Sequence, residues 1–302
     1  MQTRAGHRAS LLFSDVAVLR TALDSLSPWV ALAKPGVTRL VLVTTLFGGV
    51  LAPGHLSIVS WLLVLSGTAL VVAAANALNM VSEADLDALM PRTLDRPLPR
   101  GRLAPQPVVR AALCASAIGF VELSCVNAVA ACLAGLALVS YVWVYTPLKR
   151  VTPHALYVGA VPGAIPPLIG YAAVTGGQID TRALALFTLL AVWQVPHFLA
   201  IATFRKDEYA RAGLPVFTVC RSQATVRRLM FGWSLALFAT SLWPVWLGMG
   251  GTLYAALAIG FGVPFLCGAA YGLKPGADES WARSLFFATM PHLVVLFVGL
   301  AL

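Results

Sequence analysis

Charge is what this sequence has least of. Only 11% of its 302 residues are Asp, Glu, Lys or Arg, while 59% are hydrophobic; a soluble chain carries about 25% charged residues. So little charge cannot cover the surface of a water-soluble fold, which excludes the two soluble domains that the length alone would allow. Cysteine is scarce too. Cys114, Cys125, Cys132, Cys220 and Cys267 are odd in number and without CxxC spacing, which argues against a disulfide framework and against zinc; they are expected to be buried as small apolar side chains. Residues 1–28 lack a long uncharged core, because Arg4, Arg8, Asp15, Arg20 and Asp24 interrupt them. A cleaved signal peptide is therefore not expected, and residues 11–26 are expected to lie on the membrane surface as an amphipathic helix, with a disordered segment as the alternative. A convincing internal repeat is also lacking.

What is present is hydrophobic length. Nine segments reach the roughly 20 residues that cross a bilayer: 37–53, 57–82, 107–125, 127–146, 155–174, 183–204, 228–248, 251–272 and 284–302. The expected fold is an all-α polytopic membrane bundle of nine helices, with residues 1–28 as an interfacial segment and 29–302 as one transmembrane domain. If the N-terminus and every second loop share a side, that side collects all 21 basic residues except Arg182. The positive-inside rule then puts the N-terminus in the cytoplasm and the C-terminus outside. The net charge of +9 is thereby accounted for by topology, and nucleic acid is not an expected partner.

The polar residues that remain are concentrated. Between Asn76 and Arg102 stand four of the twelve acids and four arginines, directly after the uncharged run from Ile58 to Val81. On a continuing helix Asn79, Glu83 and Asp87 follow at i, i+4 and i+8 and share a face, while Asp85 points elsewhere. Carboxylates about 5 Å apart repel by roughly 3 kcal/mol at an effective dielectric of 20, a penalty that a divalent cation removes. Oxygen ligands suit Mg²⁺, which substrate phosphates usually complete. Arg92, Arg96, Arg100 and Arg102 follow within reach, and arginine forks match phosphate oxygens. The local reading is a metal and diphosphate site at a membrane boundary; an acidic helix end beside a basic loop is the plainer alternative.

Further along, Tyr145, Lys149 and Arg150 are expected at the same level, where Pro147 ends span four; snorkelling cations beside a tyrosine belt would look the same. Span five, with Pro162, Pro166 and Pro167, reads as a broken helix lining a cavity. Span six carries Gln194 and His197 inside its apolar run, and an intramembrane histidine is functional by default unless it packs on a carbonyl. Asp207 and Glu208 then form a second acidic cluster at the same side as the first. Glu122, alone near the outer end of span three, is expected to be an interfacial or packing residue.

Taken in order, N79-xxx-E83-xxx-D87, R92-T-xx-R96-P, Y145-T-P-L-K149-R150, the proline-rich span five, W193-Q-V-P-H197-F and D207-E-Y-xxx-G213 resemble the UbiA-type intramembrane prenyltransferases, and within them the haem-farnesylating branch. The resemblance covers residues 29–217 and implies a central cavity open to the cytoplasm. It also implies Mg²⁺ on Asn79, Glu83, Asp87 and Asp207, with Glu208 a weaker ligand. Diphosphate would contact Arg92, Arg96, Tyr145, Lys149 and Arg150, and haem would contact His197 and Gln194, with His292 less favoured. Two departures stand out: Glu83 where many relatives have Asp, and Arg211 where the superfamily's second motif has an acid.

The implied reaction is farnesyl transfer from farnesyl diphosphate to a vinyl group of haem B, with addition of water, in a bacterial inner membrane. A haem-handling enzyme or terminal oxidase assembly partner would follow. The alternatives are an aromatic prenyltransferase of quinone synthesis and, from another class, a membrane transporter or haem carrier.

Overall fold

The computed structural model describes residues 26–274 and 276–302, and among them every regular element is helical. The expected surface helix over 11–26 falls almost wholly outside the described residues. Eight helices are long and apolar enough to cross a bilayer, or nine if one bent pair is counted as a single span. That pair is α1, Leu26–Leu32, and α2, Pro35–Val50, inclined at 50°. The 16 residues of α2 rise only about 24 Å, short of a hydrocarbon core of about 30 Å, so α2 reaches spanning length only together with α1. The bend has a local cause: Pro35 starts a new helix, and Lys34 before it adopts a left-handed backbone with φ 46°.

Next come α3 (Ile58–Ser82), the short α4 (Ala84–Asp87), α5 (Pro105–Val126) and α6 (Ala128–Val139). A widened π segment, Ser140–Tyr145, and α7 (Thr146–Leu148) complete the fourth span. The fifth span is broken at Ile165 into α8 (Ala155–Ala164) and α9 (Pro166–Val174). It is followed by α10 (Thr181–Phe204), α11 (Lys206–Arg211), α12 (Phe217–Cys220), α13 (Gln223–Trp246), α14 (Thr252–Tyr271) and α15 (Glu279–Ala301). Caps fall where the chain enters the membrane: Ser57, Asn127, Asp180, Ser222 and Asp278 each accept a backbone N–H with a side-chain oxygen.

Small residues let the helices approach closely. A Cβ on Gly119 of α5 would stand 2.7 Å from the Gly67 carbonyl of α3, and one on Gly170 of α9 would overlap the Thr45 carbonyl of α2. Beside the first contact Ser66 donates to Glu122 Oε2 at 2.6 Å, so Glu122 joins α3 to α5. Apolar side chains such as Ile58, Leu62, Trp246 and Val294 face outward, as lipid contact requires. So do all five cysteines, which are exposed and not buried as expected. Four of them sit on spanning helices, where the outer face in a bilayer is itself apolar and a thiol gains nothing by turning inward; Cys220 ends the short α12.

Candidate active site

The structure corrects the continuous helix expected through Asp87. α3 stops at Ser82, and Glu83 (φ −117°, ψ 10°) breaks it before α4. The i to i+4 spacing nevertheless survives, because Glu83 N–H donates to the Asn79 carbonyl at 3.0 Å and Asp87 N–H to that of Glu83 at 2.8 Å. Asn79, Glu83 and Asp87 consequently line one cavity of about 230 Å³ together with Lys34, Arg92, Arg96, Tyr145 and Lys149. They come from distant parts of the chain, and all three carbonyl-bearing side chains are at least 96% buried, with exposures of 2%, 4% and 1%.

Each acidic or amide group meets a cation. Lys34 Nζ donates to Asn79 Oδ1 at 2.8 Å, while Asn79 Nδ2 donates to Thr146 Oγ1 at 3.1 Å. Arg96 Nη1 donates to both oxygens of Asp87, at 2.9 and 2.7 Å. Lys149 forms an ion pair with Glu83 Oε1, yet that buried oxygen receives no aligned hydrogen bond. The repulsion between Glu83 and Asp87 is thus relieved by the protein's own cations. Four cations and two carboxylates line the cavity, so their formal sum is 4 − 2 = +2; an anionic ligand is the complement. Among the described residues no three His, Cys, Asp or Glu side chains form a metal cluster. The oxygens of Asn79, Glu83 and Asp87, one of them unsatisfied, are still the hard donor set that Mg²⁺ takes.

Below lies a second, largely apolar cavity of about 310 Å³, bounded by Val71, Ala134, Ile169 and Gln194 among others. The two cavities share Lys34, Tyr141, Tyr145, Leu156 and Phe198 as walls. The π segment makes this boundary. Pro147 has no N–H to return to the preceding turn, the helix widens ahead of it, and Tyr141 and Tyr145 stack with centroids 5.6 Å apart. Thr146 ties the widened turn down by donating to the Tyr141 carbonyl at 2.8 Å. Gln194 reaches in from α10, its Nε2 held by the carbonyls of Ala160 and Leu190.

Other expected site residues stand apart. Arg150 forks onto Asp85 at 2.9 and 2.8 Å on the exposed side of α4, and that hydrogen-bonded guanidinium holds the Asp85 carboxyl below its ordinary range. Asp207 is exposed and absent from the cavity lining, and Glu208 pairs with Arg205. The reason is helical phase: Tyr209 of α11 faces the cavity, and Asp207, about 200° round the helix, faces away. Burial holds the Tyr209 phenol above its ordinary range, so it remains a hydrogen-bond donor. His197 lines neither cavity; it stacks on Trp193 and its Nδ1 meets Thr289 Oγ1 at 2.7 Å on α15. His292 faces a separate crevice between α14 and α15.

Residues missed in the sequence are Lys34, Tyr141, Thr146 and Tyr209. In the sequence Lys34 is marked by Lys-Pro-Gly at the start of a span, and Tyr141 by its i to i+4 spacing to Tyr145.

Residues 41–290 match the UbiA prenyltransferase family. The chain is 49% identical to protoheme IX farnesyltransferase of Sorangium cellulosum over 79% of its own length and 85% of that protein's. It is 44% identical to the protein of that name from Anaeromyxobacter dehalogenans over 95% and 98%. Among solved structures, digeranylgeranylglyceryl phosphate synthase superposes with a TM-score of 0.78 at 15% identity, covering 92% of this chain and 98% of that one. A UbiA homologue from Archaeoglobus fulgidus bound to GPP and Mg²⁺ superposes with a TM-score of 0.66 at 14% identity, covering 91% and 100%.

Proposed function

The chain belongs to the UbiA prenyltransferase family, and we propose that it transfers a farnesyl group from farnesyl diphosphate to a vinyl group of haem B. The observation that carries this reading is the pair of cavities: a cationic chamber opening onto an apolar one, with Lys34, Tyr141 and Tyr145 between them. A prenyl diphosphate has the same division between head and tail. The name shared by the relatives from Sorangium and Anaeromyxobacter supports haem as acceptor.

In the proposed step Lys34, Arg92, Arg96 and Lys149 bind the diphosphate oxygens, and Asn79, Glu83 and Asp87 would hold Mg²⁺. The metal supplies neutralisation of charge on the leaving group. The C1–O bond of the farnesyl group breaks, and the electron pair leaves with diphosphate. Tyr141, Tyr145 and the apolar walls keep water from the allylic cation until the vinyl π electrons of haem form the new C–C bond. Water adds to the resulting porphyrin-side cation and loses a proton, giving the hydroxyl. Gln194, in the wall of the apolar cavity, is a contact for the acceptor, and His197 supports that wall from behind. Asp207, Glu208 and Arg150 take no part in the step. The chamber faces the cytoplasm of a bacterial inner membrane in this reading, as the basic loops indicate.

Purified protein in bilayer discs, given farnesyl diphosphate, haem B and Mg²⁺, should convert haem into a heavier porphyrin carrying one farnesyl group and one water. Asp87→Asn should cut formation of that product by about a thousandfold. Unchanged haem with a prenylated quinone precursor would keep the enzyme class and replace the acceptor.

A further inference from the structure

His292 has no role in that step, and its surroundings are unlike those of the other intramembrane histidine. It is 2% exposed, and neither ring nitrogen has a hydrogen-bond partner. Buried imidazole nitrogens are ordinarily bonded, and His197 shows the ordinary case through Thr289. His292 instead lines a crevice of about 440 Å³ between α14 and α15, on the flank of the bundle. Gly260, Pro264 and Gly268 on one helix and Ala288 and Pro291 on the other keep the crevice open, and most of these are exposed at the lipid-facing surface. The Phe265 ring stands beside the imidazole with centroids 5.2 Å apart. Thirteen residues into α15, His292 lies roughly 20 Å along the helix axis from Glu279, well below the membrane surface.

We propose that this crevice docks an iron porphyrin from the lipid phase, with His292 as its axial ligand. Small residues facing one another leave a slot for a flat macrocycle, and a buried imidazole whose nitrogens have no other partner is free to ligate iron. A hydrocarbon chain would fill the slot but leave both nitrogens unsatisfied. Toward its other end the crevice reaches Trp281 and Ser284, in the first turns of α15, next to a loop bearing Lys274. Arg283 stands at that level as well, alongside Asp278 and Glu279, so the porphyrin carboxylates would emerge among charged groups at the headgroup boundary. The chamber that holds diphosphate is built from other helices, so this is a second station for the porphyrin. The inference rests on haem being the acceptor; both haem B and its farnesylated product carry the same iron chemistry.

The test is a spectroscopic titration of the full chain in bilayer discs with ferric haem B, with the farnesylated haem, and with iron-free protoporphyrin. Wild type should show the Soret shift of imidazole ligation and bind the iron porphyrins at least about tenfold more tightly than the iron-free one, as a coordination bond requires. His292→Leu should lose the shift and that preference. Gly260→Phe keeps the histidine and fills the slot; a Cβ there meets nothing within 4 Å, so the fold tolerates the start of the larger side chain, and iron-porphyrin binding should be lost with it. Tighter binding of haem B would make the crevice an entry station, and tighter binding of the product an exit station. A wild-type spectrum that survives both substitutions, or that disappears only in His197→Leu, overturns the docking site while leaving the farnesyl transfer standing. If wild type neither ligates nor farnesylates haem, the acceptor reading falls and the docking site with it.

Discussion

Replacing Arg96 by Gln exposes the competition on which the chamber is built. Asp87 has a side-chain exposure of 2% and Arg96 one of 23%, with 2.7 Å between their charged atoms. The bare attraction at that distance is about 6 kcal/mol at an effective dielectric of 20. Breaking a buried pair by removing one partner ordinarily costs about 3–5 kcal/mol, because the other charge stays buried. Arg96→Gln should therefore lower the thermal unfolding midpoint without Mg²⁺. The carboxylate that it releases is then free for a divalent cation, which at a hundred times its dissociation constant returns about 2.7 kcal/mol. In the wild type Arg96 already occupies both Asp87 oxygens, so Mg²⁺ alone should stabilise it far less. Unfolding in bilayer discs, followed by tryptophan fluorescence across a Mg²⁺ series, gives both numbers. Arg96→Gln/Asp87→Asn removes the stranded charge, and should recover most of the stability and lose the response to Mg²⁺. Equal Mg²⁺ responses in wild type and Arg96→Gln, or a response that persists in the double variant, would refute the reasoning.

Lys34→Met removes the cation shared by both cavities; the KM for prenyl diphosphate should rise about tenfold or more, the worth of one charge-assisted hydrogen bond, in steady-state assays. Asp207→Asn should stay within about twofold of wild-type turnover, whereas Asp87→Asn should fall by about a thousandfold, the scale of losing one preorganised charge contact. The Arg150–Asp85 clamp carries a pH signature. With the folded carboxyl held below its ordinary range, its stabilisation is present above that range and lost as pH falls through the lowered value. The difference in unfolding midpoint between wild type and Asp85→Asn should thus be present at pH 7 and close as acid is added. Gly170→Ala should destabilise by about 1–3 kcal/mol in the same unfolding assay, the usual cost of overpacking, because its methyl overlaps the Thr45 carbonyl.

The column from Asn79 to Asp87 was legible because an i to i+4 repeat records a shared face, and the backbone kept that register even where α3 broke at Glu83. Span five was legible for a related reason: the pair Pro166–Pro167 starts a new helix where it falls, although Pro162 alone is carried inside α8. Lys34 was not. In the sequence it resembles any basic residue flanking a span, and its role depends on a left-handed turn that carries it to Asn79, 45 residues away. Asp207 differs in the opposite direction, standing exposed outside the cavity lining. Composition placed an acidic cluster at the right level of the membrane, but a helix of six residues turns only part of itself to the cavity, and Tyr209 took that side. The expected role of magnesium in relieving repulsion between Glu83 and Asp87 overlooked Lys149 and Arg96, whose pairing with those acids is a tertiary fact.

The most direct measurement is an experimental structure with a non-hydrolysable farnesyl diphosphate analogue and Mg²⁺. The diphosphate is expected among Lys34, Arg92, Arg96 and Lys149, the metal against Asn79, Glu83 and Asp87, and the chain past Tyr141 and Tyr145 toward Ile169. A diphosphate bound at Asp207 on the outer side of α11, or a farnesyl chain lying on the lipid-facing flank with the inner cavity empty, would contradict the account.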